Sequence, residues 1–175
     1  FYAGRFTPRG AAGKNITWAA APRPPAQRGR RGSMVARKAR LEDAHALYGL
    51  VCLYSRTAPP REVFDAYYAL ALEDPTRRLL IAWEGDEAVG FADAQQRDSL
   101  MLGKKVGVIQ DFFVREDRRR RNVGAALLVT LTTQLKAAGC AAITASCRKV
   151  DGSSQDFLEK RGFLKERYGF VRTMQ

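Results

Sequence analysis

Val108-Ile109-Gln110-Asp111-Phe112-Phe113-Val114 runs without a break into Arg115-Glu116-Asp117-Arg118-Arg119-Arg120-Arg121-Asn122-Val123-Gly124-Ala125-Ala126-Leu127-Leu128. This stretch reads as a strand that ends in a basic turn and opens directly into a helix. The apolar stripe Val123, Leu127, Leu131, Leu135 and Ala138 extends that helix from about Asn122 to Ala138, and Gly139 stops it. The first amides of a helix lack intrahelical acceptors and point outward at the positive end of the macrodipole. A pyrophosphate can dock there when small residues or left-handed backbone let it approach. Gly124 and Ala125 are small, Asn122 tolerates a left-handed conformation, and five arginines add positive potential. Read alone, the arginine run is equally a solvated turn.

Outward from this segment, strand and helix patterns alternate. Val35–Ala39 is expected as a short strand, followed by a helix from Glu42 to about Tyr54 whose first turn carries Glu42 and Asp43. Pro59-Pro60 breaks the chain before a second helix, with Val63, Phe64, Tyr67, Tyr68 and Leu72, which ends near Pro75. Leu79–Trp83 and Ala88–Ala94 form a hairpin around Glu84-Gly85-Asp86-Glu87. Val106–Val114 is a third strand. After the long helix come a strand at Ala141–Cys147, a helix near Ser153–Arg161 and a last strand from Phe163 to Val171. The order β-α-α-β-β-β-α-β-α-β predicts an α/β domain with a mixed, mostly antiparallel sheet flanked by helices.

A length of 175 residues suits one domain. The formal charge is +12, but residues 1–33 hold seven basic groups and no acid, leaving 23 basic against 18 acidic groups beyond. That segment, rich in Gly, Pro, Ala and Arg, reads as a disordered basic tail. It is either upstream sequence not native to the protein, with Met34 as the start, or an arm that binds an acidic surface. The domain proper is then residues 34–175. No apolar run approaches the roughly 20 residues of a membrane span, and a cytoplasmic location is expected. Cys52, Cys140 and Cys147 lack metal-ligand or disulfide spacing and read as reduced thiols, so no metal site is expected. Cys147 is expected as a buried strand thiol, and His45 as a structural histidine.

In these features the chain resembles the GNAT family of N-acetyltransferases, whose hallmark is Gln/Arg-x-x-Gly-x-Gly/Ala between a strand and a long helix. Arg119-x-x-Asn122-x-Gly124 is in register with the strand, and Arg121-x-x-Gly124-x-Ala126 also fits the letters. The resemblance extends over nearly all of residues 34–172. It includes Ala39-Arg40-Leu41-Glu42-Asp43-Ala44, Ala88-Val89-Gly90-Phe91, and Phe157-Leu158-Glu159-Lys160-Arg161-Gly162-Phe163. Its layout is most similar to that of aminoalkylphosphonate N-acetyltransferases.

The resemblance implies the acyl-CoA N-acyltransferase fold and transfer of acetyl from acetyl-CoA to a primary amine by direct attack in a ternary complex. It implies unpaired backbone groups at Phe112, Phe113 and Val114, to which pantetheine adds like a strand. It places the pyrophosphate on Arg119, Arg120, Arg121, Asn122, Val123, Gly124 and Ala125. Members often carry a Glu base where this chain has Gln110, and a Tyr acid where it has Leu158. Gln110 is then left to orient a water or bind the amine. Tyr168 is the nearest phenol, with packing as its other role. Asp111 is expected on the face opposite Gln110, either pairing with the arginine turn or touching a cationic substrate. The acceptor is a small-molecule amine such as an aminoalkylphosphonate, a polyamine or an aminoglycoside. A homodimer is compatible with the sequence. Two other readings stand beside this one: a non-catalytic acyl-CoA-binding module, and a nucleic-acid-binding protein, which the lack of an RNA-stacking aromatic motif disfavours.

Overall fold

The most apolar strands of the chain occupy the middle of the sheet. In the computed structural model, which describes residues 34–55, 57–147 and 151–165, β2 (Arg77–Glu84) and β3 (Glu87–Ser99) form a hairpin. Gly85 turns it at φ 63°, where a side chain is strained. Here β1 (Met34–Lys38) pairs antiparallel with β2, and β4 (Lys104–Val114) pairs antiparallel with β3. A crossover through α3 (Val123–Ala137) brings β5 (Cys140–Ala145) parallel to β4. The sheet order is β1-β2-β3-β4-β5, mixed and mostly antiparallel as expected.

Helices cover both faces. On one face, α3 buries Val123, Leu127, Leu131 and Leu135, spaced four apart, against Leu80, Ala92 and Ile109. Burying each of these leucines contributes about 1.5–3 kcal/mol. Gly139, at φ 84°, ends the helix as read from sequence. On the other face, α1 (Ala44–Tyr54) and α2 (Arg61–Glu73) set Leu47, Leu50, Phe64 and Tyr68 against Leu79, Ile81 and Phe91. Asp43 ties this layer to the sheet edge: its carboxylate accepts two hydrogen bonds from Arg37, at 2.7 and 2.8 Å, and one from the Arg40 amide at 2.8 Å. A last helix, α4 (Gly152–Glu159), is capped by Asp151, which accepts from the Ser154 amide.

Three expectations need correction. The strand expected at Ala88–Ala94 continues as β3 to Ser99, because Gln95–Ser99 pair with Lys104–Val108 although they carry no apolar signal. The strand expected through Cys147 ends at Ala145, and Cys147 is exposed rather than buried, since pairing with β4 stops there. Residues 163–165 are irregular rather than strand. The rest of the expected last strand, with Tyr168, lies outside the described residues, as does the 1–33 segment.

Candidate active site

The parallel β4–β5 pairing runs only from Lys105–Cys140 to Ile109–Ala145. Beyond Ile109, Asp111–Val114 pair with β3 and, among the described residues, with no strand on their other side, so that edge is open beside α4. Which residues face that opening follows from the alternation of backbone groups along a strand. The Arg115 amide donates to the Val89 carbonyl at 2.9 Å, and the Phe113 carbonyl lies 2.6 Å from where a Gly90 Cβ would stand. Phe113 and Arg115 therefore face β3, whereas Phe112 and Val114 turn N–H and C=O outward. Phe113 is thus corrected as a backbone donor for an added strand. Its ring belongs to the opposite layer, 5.5 Å from Tyr54 and 6.0 Å from Phe91.

Just past this edge the chain turns into α3. Arg120 and Asn122 are left-handed at φ 60° and 63°, and Asn122 is the residue before the first helical turn. Left-handed residues in a turn are what a backbone anion nest requires, where successive amides point into one concavity. The five arginines divide by role. Arg118 pairs with Glu84 at 2.8 Å and with Glu87 at 2.9 Å, and Arg115 pairs with Glu87 and Asp117. These two tie the turn to the β2–β3 hairpin. The Arg119 guanidinium donates to the Val114 carbonyl at 3.3 Å. Among the described residues, no ion pair holds Arg120 or Arg121.

Gly124 serves packing as well as approach. A Cβ there would stand 3.3 Å from the Phe157 ring and 3.6 Å from that of Phe112, two rings themselves 5.7 Å apart. The helix start can lie this close to β4 and α4 because residue 124 has no side chain. Val123 is buried in the core, so it contributes backbone rather than side chain to the loop surface.

On the α1–α2 face of the same strand is a cavity of about 310 Å³. Phe64, Tyr68 and Phe91 form its wall, with the partly exposed Tyr54 and Tyr67 at its rim. Tyr68 is buried in the core beside this space, whereas Tyr54 and Tyr67 are exposed. The Tyr68 hydroxyl donates to the Arg40 carbonyl at 2.6 Å, and burial pushes its pKa up to about 12. Among the described residues, three charged ones line the cavity: Arg77, Asp93 and Asp111. Arg77 grips both oxygens of the buried Asp93, with Nε at 2.8 Å from Oδ1 and the second contact to Oδ2.

Asp111 does not pair with the arginine turn. It stands opposite Asp93 in the β3–β4 register. Burial first, and then the Asp93 charge, push its carboxyl above the usual range, against a hydrogen bond from Tyr54 and the charge of Arg77. A bulge between Asp93 and Ala94 leaves Gln110 without a partner on β3 and breaks the period of two. Gln110 therefore does not lie opposite Asp111. Its exposed amide donates to Gln95 at 3.2 Å, and Gln95 in turn donates to Asp74, just past α2, at 3.5 Å. Leu158, at the position of the expected acid, is half-buried on α4.

Among the described residues, no group of three or more His, Cys, Asp or Glu side chains is placed to hold a metal, and no helix is long and apolar enough to cross a membrane.

With this geometry in view, comparison with known proteins is informative. A family model described as the Acetyltransferase (GNAT) family matches residues 41–163. No curated protein matches the chain. Among solved structures, the chain is similar to the aminoglycoside N-acetyltransferase AAC(6')-Iy in complex with CoA: 24% identity, 82% of this chain and 97% of that one, TM-score 0.75. It is also similar to glucosamine-6-phosphate N-acetyltransferase from Arabidopsis thaliana: 17% identity, 82% and 99% coverage, TM-score 0.71. A transcriptional regulator from Bacillus halodurans C-125 shares the fold at 18% identity, 81% and 100% coverage, TM-score 0.73. At these identities the likeness is one of fold.

Proposed function

The chain belongs to the acetyltransferase (GNAT) family, and from that premise we propose that it transfers the acetyl group of acetyl-CoA to a primary amine of a small molecule. The observation that carries this reading is the open edge of β4 beyond the Ile109–Ala145 pair, set directly against the loop with left-handed Arg120 and Asn122. The two features lie in the order that a long thioester with a pyrophosphate needs. The proposed domain is residues 34–175, acting on the cytoplasmic pool of acetyl-CoA.

Each part of the chain has a task. The outward N–H and C=O groups of Phe112 and Val114 take the pantetheine amides in the manner of an added strand. For Val114 this requires the Arg119 guanidinium to release its carbonyl. Amides from Arg120 to Ala125 hold the pyrophosphate at the α3 N-terminus, and Arg119, Arg120 and Arg121 add charge-assisted bonds. Acetyl-CoA supplies an activated acyl carbon and a thiol leaving group. The acceptor approaches from the cavity beneath α1 and α2, so β4 separates the two substrates and sets the line of attack. An N–C bond forms as the C–S bond breaks. The ammonium form of the amine thereby yields the acetamide, the free thiol and one proton.

The test is binding and turnover by the full chain. Isothermal titration with acetyl-CoA should show one site, and thiol release should require both acetyl-CoA and an amine. Absence of binding would sink the reading. Gly124→Val should weaken acetyl-CoA binding at least tenfold. Since the new side chain meets Phe157, the companion variant Gly124→Val/Phe157→Ala shows whether affinity is lost through the loop or through displacement of α4.

A further inference from the structure

We propose that the acceptor is a compact amine carrying a single positive charge on an apolar body, and that Asp111 is the residue that selects it. This rests on the acetyltransferase reading above and narrows it.

Charge balance within the cavity is the first support. Among the described residues, Arg77, Asp93 and Asp111 are its charged lining residues, and both oxygens of Asp93 are held by Arg77. That pair is neutral as a unit. Asp111 remains, half-buried, touched by the Tyr54 hydroxyl but with no cation bound to it among the described residues. One half-buried carboxylate without a paired cation accommodates one ammonium. A second ammonium would stand against an apolar wall with no counter-charge, which is costly. A phosphonate would be placed against the carboxylate itself. The arginines that attract phosphates stand in the turn at the α3 start, which does not line the cavity.

Shape and surface are the second support. The volume of about 310 Å³ lies at the small end of ligand sites. Its wall of Phe64, Tyr68 and Phe91 and its rim of Tyr54 and Tyr67 suit an alkyl or aryl body, and aromatic faces also attract a cation. A multi-ring polycation exceeds this space.

Position is the third. Asp111 directly precedes Phe112, the first residue beyond the bulge whose backbone faces the open edge. An ammonium held by Asp111 from the cavity side is thus one residue from where the thioester would lie. Asp111 accepts one ammonium proton and passes it to solvent. The second proton that nitrogen loses ends on the sulfur as the C–S bond breaks.

The experiment is a steady-state panel on the full chain with 2-phenylethylamine, 2-aminoethylphosphonate, spermidine and tobramycin, beside acetyl-CoA titration by calorimetry. The monocation should have the highest kcat/KM, by at least tenfold over the other three. Asp111→Asn should lower that value at least tenfold, through both the KM for amine and kcat, while acetyl-CoA affinity and Tm hold or rise. A preference for the phosphonate or a polycation overturns the proposal, as does an Asp111→Asn variant with an unchanged amine profile. Acetyl-CoA binding without turnover of any amine also overturns it. Loss of acetyl-CoA binding by the parent chain instead removes the underlying reading.

Discussion

Asp93 and Asp111 face each other across the β3–β4 ladder, and among the described residues only Asp93 has a guanidinium of its own. Like charges directly opposite on neighbouring strands repel. Arg77, entering from β2, relieves the repulsion by pairing with Asp93, and the remaining carboxyl keeps its charge at a cost.

Arg77→Met would leave Asp93, 3% exposed, as a buried charge without its partner. Removing one member of such a pair costs about 3–5 kcal/mol. Urea denaturation at neutral pH should show this loss, and Arg77→Met/Asp93→Asn should recover most of it. A single variant as stable as the parent would mean that the pair carries no structural load.

Asp111 makes the opposite prediction. Its folded pKa is raised above the unfolded value, so the native state binds its proton more tightly. The resulting penalty is absent below the unfolded carboxylate pKa, appears as pH rises through the folded pKa, and is complete above it. Asp111→Asn should therefore raise Tm at neutral pH, with the gain fading as pH falls through the folded pKa and gone below about 4. Asp93, Arg77 and Tyr54 are the groups facing it, so the pH series should be repeated in Arg77→Met. A gain that grows on acidification would contradict the assignment.

Asp43 carries the reverse sign. Its hydrogen bonds from Arg37, ahead of the Arg40 amide, hold its carboxyl below the usual range. Its contribution is present above the unfolded pKa and is lost as pH falls through the lower folded value. Asp43→Asn should cost about 3 kcal/mol at pH 7, and the difference from the parent should shrink on acidification, as followed by thermal unfolding.

Gly90→Ala would place a Cβ 2.6 Å from the Phe113 carbonyl and 3.3 Å from Leu127. The first obstacle is backbone in the strand that bounds the site, so it cannot swing aside. A loss of at least about 2 kcal/mol is expected, together with weaker acetyl-CoA binding. Denaturation and calorimetry on the same variant would check both.

Asn122 sits at φ 63°. Asn122→Gly should keep both fold and acetyl-CoA affinity, whereas Asn122→Val forces a branched side chain into left-handed backbone at about 1–2 kcal/mol. Equal affinities for acetyl-CoA in the two variants would show that the loop geometry does not matter for binding.

Much of the fold was legible because it rests on local rules. The four-residue spacing Val123–Leu127–Leu131–Leu135, the stop at Gly139, the hairpin about Gly85 and the left-handed Asn122 each follow from one residue type in one local setting, and each is found in the structure. These determined by themselves a strand–turn–helix with a positive, small-residue loop. Whatever depended on a partner far along the chain was not legible. The polar end of β3 is strand only because β4 lies beside it, and the bulge at Gln110 shifts the faces of β4 in a way that no period of two contains. The neutralising of Asp93 by Arg77, which singles out Asp111, joins residues on adjacent strands. Local propensity acts over one or two turns of chain; burial and charge compensation act through space, and only the tertiary structure decides them.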